Sequence, residues 1–212
     1  QKLNTFAQPH FYNMDKTFWN ERFGEPGFMY GDQPNDFLKA TSSALKPGGR
    51  ILCLAEGEGR NAVYLATQGF DVTCVDFSES GLKKTEQLSE SHGVSVCTVC
   101  ADLGQYEIEH EAWDGIVMIF GHFNEGLRAS LYQRISAGLK PGGTLLMEVY
   151  TKDQLCYGTG GPKSIEFLYD KQELEAAFSE FSSVSIQEII REINEGEFHK
   201  GMSSTPQVNA TK

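Results

Sequence analysis

The sequence predicts an α/β fold: a doubly wound, mostly parallel seven-stranded sheet that ends in an antiparallel hairpin. Three observations carry that reading. From residue 46 onward, short apolar runs alternate with amphipathic stretches, the pattern of strands joined by right-handed helical crossovers. The tetrad Lys-Pro-Gly-Gly occurs twice, at 46–49 and 140–143, each time between a helical stretch and an apolar run. Pro stops the helix there, and the glycines permit the positive φ of the return turn. Residues 184–193 alternate in character before Asn194-Glu-Gly196 turns the chain, which implies a closing hairpin.

Taken in order, residues 10–45 read as two helices, with Phe11, Phe18, Trp19 and Phe23 on the first apolar face and Phe37, Leu38, Thr41 and Leu45 on the second. The Gly- and Pro-rich stretch 24–34 separates them. Strands are expected at 50–54, 70–75, 94–99, 115–120 and 144–149, with helices between them at 61–68, 79–91 and 125–139. The last helix has Leu127, Leu131, Ile135 and Leu139 at i, i+4 steps. Beyond residue 149, Tyr157-Gly-Thr-Gly-Gly-Pro162 is a loop, and Asp170-Lys-Gln-Glu173 is a capping box opening a helix to about Phe181. A strand at 184–193 and a final strand after Gly196 follow, although the polar residues 203–212 favour a strand only weakly. The expectation is one domain over 1–212: a helical cover (1–45), a ligand-binding core (46–150), and a lid loop, helix and hairpin (151–212).

The chain has 212 residues, with Lys+Arg 18 against Asp+Glu 29 and a net charge of -11. A field of that sign repels phosphate backbones and anionic lipid surfaces, so neither nucleic acid nor membrane is the expected partner. No apolar run approaches the roughly 20 residues that span a bilayer, and no basic, then apolar, leader opens the sequence. A cytoplasmic location is the expectation. Cys53, Cys74, Cys97, Cys100 and Cys156 are odd in number and lie in or near apolar stretches, which points to buried reduced thiols rather than a disulfide framework. Cys97 and Cys100, three apart on an expected strand, would face opposite ways. Histidines 10, 92, 110 and 199 are too dispersed for metal-ligand spacing, and no metal is expected.

The chemistry concentrates at Arg50-Ile-Leu-Cys-Leu-Ala-Glu-Gly-Glu-Gly-Arg-Asn-Ala62, a strand, a tight glycine turn at Gly57 and Gly59, and a helix start. Such glycines let backbone approach a ligand, and the open N–H groups of the helix start favour polar or anionic groups. Nineteen residues past Gly57, at the end of the next strand, Asp76 can accept from both hydroxyls of a ribose. Asp102, just past the third strand, is placed to meet an adenine amino group, and Phe120-Gly-His122 follows the fourth. Gly57-x-Gly59-x-x-Ala62 with a later Asp also satisfies the dinucleotide fingerprint, so a small nicotinamide-dependent oxidoreductase is the rival reading. The long helical preface, the lack of a second domain and the recurring polar residues at strand ends weigh against it.

In these stretches the sequence resembles the class I S-adenosylmethionine-dependent methyltransferases, and within them the tellurite-resistance and thiopurine methyltransferase-like group. The resemblance runs from about Trp19 to His199. It is carried by Tyr30-Gly-Asp-Gln-Pro-Asn-Asp-Phe37, Leu52 to Ala62, Val75-Asp76, Ala101-Asp102-Leu103, Ile119-Phe-Gly-His122, Leu139-Lys-Pro-Gly-Gly143 and Tyr157 to Pro162. It implies a Rossmann-like methyltransferase fold, with S-adenosylmethionine as cofactor and S-adenosylhomocysteine as product. The methyl acceptor would be a small molecule: a thiol, selenium or tellurium species. By position, Ala55, Glu56, Gly57 and Gly59 would wrap the methionine portion with Asn61 beside them. Asp76 and Phe77 would hold the ribose, Asp102 and Leu103 would frame the adenine, and Phe120 would lie near the sulfonium. Two positions depart from the family. Cys53 stands where an acidic residue is common, and Ala55 where Gly is, which keeps a non-catalytic S-adenosylmethionine-binding protein as a third reading.

Methyl transfer from a sulfonium is an in-line displacement that needs alignment more than a nucleophilic side chain. A base is required only for an acceptor that arrives protonated, and His122 is the candidate, with bonding to a loop carbonyl as its structural alternative. Tyr30, Asn35, Tyr150, Tyr157 and His199 are candidates for the acceptor pocket. Their alternatives are packing for the tyrosines, helix capping for Asn35 and a solvated turn for His199. The 158–161 loop is flexible enough to close as a lid.

Overall fold

The computed structural model describes residues 15–196 and 198–212; the expectations on Phe11 and His10 lie outside them. The strands are β1 (Arg50–Leu54), β2 (Asp71–Asp76), β3 (Cys97–Cys100), β4 (Trp113–Ile119), β5 (Leu139–Glu148), β6 (Ser183–Glu195) and β7 (His199–Thr211). The helices are α1 (Lys16–Gly24), α2 (Asp36–Thr41), α3 (Arg60–Thr67), α4 (Glu79–Ser91), α5 (Glu125–Gly138) and α6 (Lys171–Ala177). One seven-stranded sheet has the order β3-β2-β1-β4-β5-β7-β6, parallel from β3 to β5 and antiparallel at β7 and β6. The fold class expected from sequence is the one observed.

Alternation along the strands builds two cores. Leu52, Leu54, Ile116 and Met118 face α5 and α6, meeting Leu131, Ile135, Leu174 and Phe178. Ile51, Cys53, Val117 and Ile119 face the opposite way, onto Phe37, Leu38 and Leu65 of α2 and α3. The two Lys-Pro-Gly-Gly turns meet under this sheet. Lys46 Nζ lies 2.9 Å and Lys140 Nζ 2.8 Å from the carboxylate of Asp114, which also accepts from Arg50 N at 3.0 Å. The repeated tetrad therefore ties two helix-to-strand joints to one acid at the end of the sheet where the parallel strands begin.

Several boundaries differ from expectation. The helix after Asp170 ends at Ala177 rather than Phe181, because Phe178 is fully buried against Tyr132 and the chain must turn there into β6. β3 pairs with β2 only over residues 97–100. It is the sheet's edge strand, so Cys97 and Cys100 are exposed, as is Cys156; only Cys53 and Cys74 are the buried thiols that were expected. β5 starts at Leu139, with its register against β4 slipping past the 140–143 turn. The polar final stretch is a full strand to Thr211. It lies between β5 and β6, where backbone bonds on both sides compensate for weak intrinsic preference. No helix among the described residues is long and apolar enough to cross a membrane.

Candidate active site at the carboxyl edge of the sheet

The parallel strands β1 to β5 end at one edge, the place where ligands bind in open α/β sheets. The chain leaves β1 through three left-handed residues, Ala55 (φ 53), Gly57 (φ 64) and Gly59 (φ 88). A Cβ at Gly57 would stand 2.9 Å from the Phe23 ring, and one at Gly59 2.5 Å from Thr85, so space as well as conformation demands glycine at both. Ala55 explains why glycine is usual at its position: its left-handed backbone costs an L-residue about 1 kcal/mol.

Two buried acids brace this turn. Asp76 accepts from Gly57 N at 2.9 Å through Oδ2 and from Ser78 N at 2.8 Å through Oδ1. Glu56 Oε1 accepts from Asn61 N and Ala62 N at 2.9 and 2.8 Å, closing the start of α3. Burial raises both carboxyls above their ordinary values, Glu56 to about 7. The neighbouring expected residues are more varied. Asp102 is exposed, with Oδ1 accepting from Gly104 N at 2.7 Å, whereas Leu103 is buried in the core beside it. Phe77 is half-buried, and its carbonyl accepts from Cys100 Sγ at 3.6 Å.

While its backbone faces the cleft, the turn sends its side chains the other way. Glu58 accepts from Tyr30 N at 3.2 Å, Arg60 Nη1 donates to Gln33 O at 3.2 Å, and Asn61 Oδ1 accepts from Asn35 N at 2.9 Å. Asn61 therefore points to residues 30–35. Arg60 Nη2 also pairs with Glu195 at 2.6 Å, both side chains under 8% exposed. Asn35 caps α2 by accepting from Leu38 N, and its Nδ2 donates to Glu148 at 2.6 Å and Glu195 at 3.0 Å. Arg191 closes the network with two bonds to Glu148, at 3.0 and 2.8 Å, and one to Glu195 at 2.9 Å. Burial acts to raise the Glu195 carboxyl, but Arg60 and Arg191 outweigh it and hold the group below its ordinary value.

Next to this network lies an aromatic cluster. Phe120, itself left-handed at φ 54, stacks on Tyr150 at 4.7 Å between ring centroids, and His122 stacks on Tyr150 at 5.3 Å. His199 meets Phe120 and Tyr30 at 4.5 Å each. His122 Nδ1 lies 3.0 Å from Phe167 O. A carbonyl only accepts, so Nδ1 carries the hydrogen and Nε2 is a bare lone pair. Three buried polar atoms of this cluster, His122 Nε2, Tyr150 Oη and His199 Nδ1, have no hydrogen-bond partner among the described residues. Burial lowers both histidines, His122 to about 4, and the Arg60 charge lowers His199 further. Glycines of the expected lid rest on the cluster: a Cβ at Gly160 would sit 3.0 Å from Tyr150 Oη, and one at Gly161 2.6 Å from its ring.

The structure thus gathers Tyr30, Phe120, His122, Tyr150 and His199. It leaves out Tyr157, which has no ring contact with them, and Asn35, which serves as a cap and network hub. His199, with 9% exposure, is not in a solvated turn. Residues 51–143 match a family model described as a methyltransferase domain. A probable S-adenosyl-L-methionine-dependent methyltransferase, TehB of Haemophilus influenzae, is 26% identical over 155 residues, covering 71% of this chain and 50% of the relative. The chain thus spans about half the length of that relative. The crystal structure of TehB from H. influenzae superposes with TM-score 0.69 at 19% identity, over 93% of this chain and 66% of the other. A structure solved for the conversion of a disulfide bond into a thioacetal group during echinomycin biosynthesis superposes with TM-score 0.71 at 15% identity, over 93% and 92%.

Sequence reasoning missed Arg60, Glu58, Glu148, Glu195 and Arg191 as parts of this candidate site. One signal was present: Glu148 interrupts an otherwise apolar run in a central strand, and a buried carboxylate there demands partners.

Proposed function

We propose that this chain transfers a methyl group from S-adenosylmethionine to a small acceptor with a soft nucleophilic atom, a thiol, selenium or tellurium species, held in the aromatic cluster. The observation that carries the reading is the convergence of three unpartnered buried atoms, His122 Nε2, Tyr150 Oη and His199 Nδ1, in one cluster at the strand-end edge. Buried polar groups are almost always paired, so three orphans together mark a place made for a polar ligand.

The residues at the turn fit the cofactor. Ala55, Glu56, Gly57 and Gly59 would lie along its methionine portion, Asp76 and Phe77 along the ribose, Asp102 and Leu103 along the adenine, and Phe120 by the sulfonium; Asn61, turned to Asn35 N, would hold the 30–35 segment instead of the cofactor. Backbone donors at both Asp76 oxygens orient the carboxylate and leave it capacity for hydroxyl donors. Glu56 bonds α3 through Oε1, and its other oxygen would take the part of the acid that Cys53 lacks. The cofactor, when bound, supplies an electrophilic methyl on a good leaving group. Tyr30, Tyr150 and His199 would then position the acceptor, and the 158–161 loop would exclude water. A neutral His122 accepts a hydrogen bond from the acceptor's S–H or Se–H and takes that proton as the new bond to carbon makes it acidic. Asn35 and Tyr157 have no part in this cluster.

Calorimetric titration with S-adenosylmethionine, S-adenosylhomocysteine and NAD tests the cofactor. Binding of the first two and not of NAD is expected; binding of NAD alone would return the turn to the dinucleotide reading. Formation of S-adenosylhomocysteine with dithiothreitol, selenite or tellurite as acceptor tests the chemistry. Cofactor binding with no turnover on any of the three would remove the soft-acceptor assignment.

A further inference from the structure

His122 can accept a hydrogen from a ligand only while Nδ1 carries the ring proton, and the groups that decide this lie outside the cluster. Tyr169 Oη donates to Gly121 O, one residue before His122, at 2.8 Å. Arg128 Nη1 donates to Phe123 O, one residue after it, at 2.8 Å. The same Nη1 donates at 2.7 Å to Glu166 O, the carbonyl preceding Phe167, whose own oxygen receives His122 Nδ1. The two clamps support each other, because the Arg128 guanidinium lies 4.7 Å over the Tyr169 ring. Glu173 grips the remaining face of Arg128 at 2.8 and 2.9 Å and accepts from Tyr132 Oη at 3.0 Å. The titratable and charged groups around His122 are Tyr150, Tyr169 and Arg128, with His199 beyond Tyr150.

We propose that Arg128, held by Glu173 and seated on Tyr169, is a positioning residue: it locks the 121–123 and 166–167 backbones together so that His122 keeps its hydrogen on Nδ1 and presents Nε2 to the acceptor. The inference rests on the acceptor-site reading above. A planar guanidinium suits the task, since one edge bridges two carbonyls while the other takes a carboxylate in a fork. Lysine offers a point charge and cannot do both.

The test uses the full chain with 15N-labelled histidines, and NMR reads the His122 tautomer in wild type, Arg128→Gln, Arg128→Lys and Tyr169→Phe. Wild type is expected to hold one tautomer, protonated on Nδ1. Arg128→Gln should populate the Nε2–H form and lower kcat for dithiothreitol methylation on the order of 100-fold, as expected for a misplaced reacting group, with S-adenosylmethionine affinity within about twofold of wild type. A folded Arg128→Gln with the wild-type tautomer overturns the proposal. If that variant does not fold, Arg128→Lys and Tyr169→Phe decide, and an unchanged tautomer in both overturns it equally. A shifted tautomer with undiminished turnover sustains the positioning role and refutes instead the part given to His122 in the proposed function.

Discussion

Replacing Glu148 by Gln removes one charge and changes almost no volume, which makes it a sharp probe of the buried network. Glu148 is 0% exposed and accepts from five donors. Oε1 takes Arg191 Nε at 3.0 Å, Thr205 Oγ1 at 3.0 Å and Gln207 Nε2 at 2.8 Å. Oε2 takes Asn35 Nδ2 at 2.6 Å and Arg191 Nη2 at 2.8 Å. An amide has one oxygen, so in its better orientation it keeps the first three donors and turns its own NH2 against the other two. Two charge-assisted bonds at about 1.5–3 kcal/mol each are lost, in line with the roughly 3–5 kcal/mol cost of orphaning one member of a buried ion pair. We expect Glu148→Gln to destabilise by about 4 kcal/mol, read by urea unfolding, with Tm lower by roughly 8–16 °C for a domain of this size. Adding Arg191→Met should recover part of the loss, since the uncompensated cation goes with it. A loss under about 1 kcal/mol in the single variant, with unchanged urea dependence, would show that the network is not closed as described.

The other predictions concern groups tied to pH and to the cofactor. Glu56, raised to about 7 in the fold from an ordinary value of 4.5, stays protonated while the unfolded chain ionises, so its contribution falls as pH rises from 4.5 to about 7. The stability difference between Glu56→Gln and wild type should therefore grow in favour of the variant across that window, by up to about 3 kcal/mol; a pH-independent difference by urea unfolding would refute it. Asp114 is the reverse case: bonding to Lys140 holds its carboxyl well below the usual range. Its stabilisation is present above about pH 4 and is lost as pH falls toward its folded value. Asp114→Asn should cost about 1 kcal/mol at pH 7, since both lysines are partly exposed, and much less at pH 2; equal losses at both would contradict the lysine clamp. Asp76→Ala should weaken calorimetric binding of S-adenosylmethionine by roughly 5- to 150-fold, equivalent to about 1–3 kcal/mol; unchanged affinity would exclude Asp76 from the ribose site.

Local signals were the legible ones. The run Arg50 to Leu54 and the helix Glu79 to Ser91, opened by Ser78, have the same limits in sequence and structure. There a period or a cap coincides with the real boundary. The helix past Asp170 overran because a propensity pattern does not reveal that Phe178 must turn inward to reach Tyr132. At the candidate site, the glycine turn, Asp76 and the strand-end residues Phe120, His122 and Tyr150 were visible, since each follows an apolar run. For His199 the alternative of a solvated turn stayed open because its partners Tyr30 and Phe120 are remote along the chain. The same remoteness hid Arg60 and Glu195, 135 positions apart, and Arg128 and Glu173, 45 apart. In sequence Glu173 read as part of a capping box and Arg60 as part of the glycine turn, and nothing paired either with its partner.

The glycine turn serves two readers. Its backbone addresses the cleft, while Glu58, Arg60 and Asn61 carry Tyr30, Gln33 and Asn35 on the far side. A turn transplanted from another member of the fold that preserved only the glycines would reproduce the bend and leave the 30–35 segment unmoored, and with it the tyrosine that meets His199. Grafts across this fold must therefore exchange the two stretches as a matched pair, and residues that no cofactor touches will set which grafts succeed.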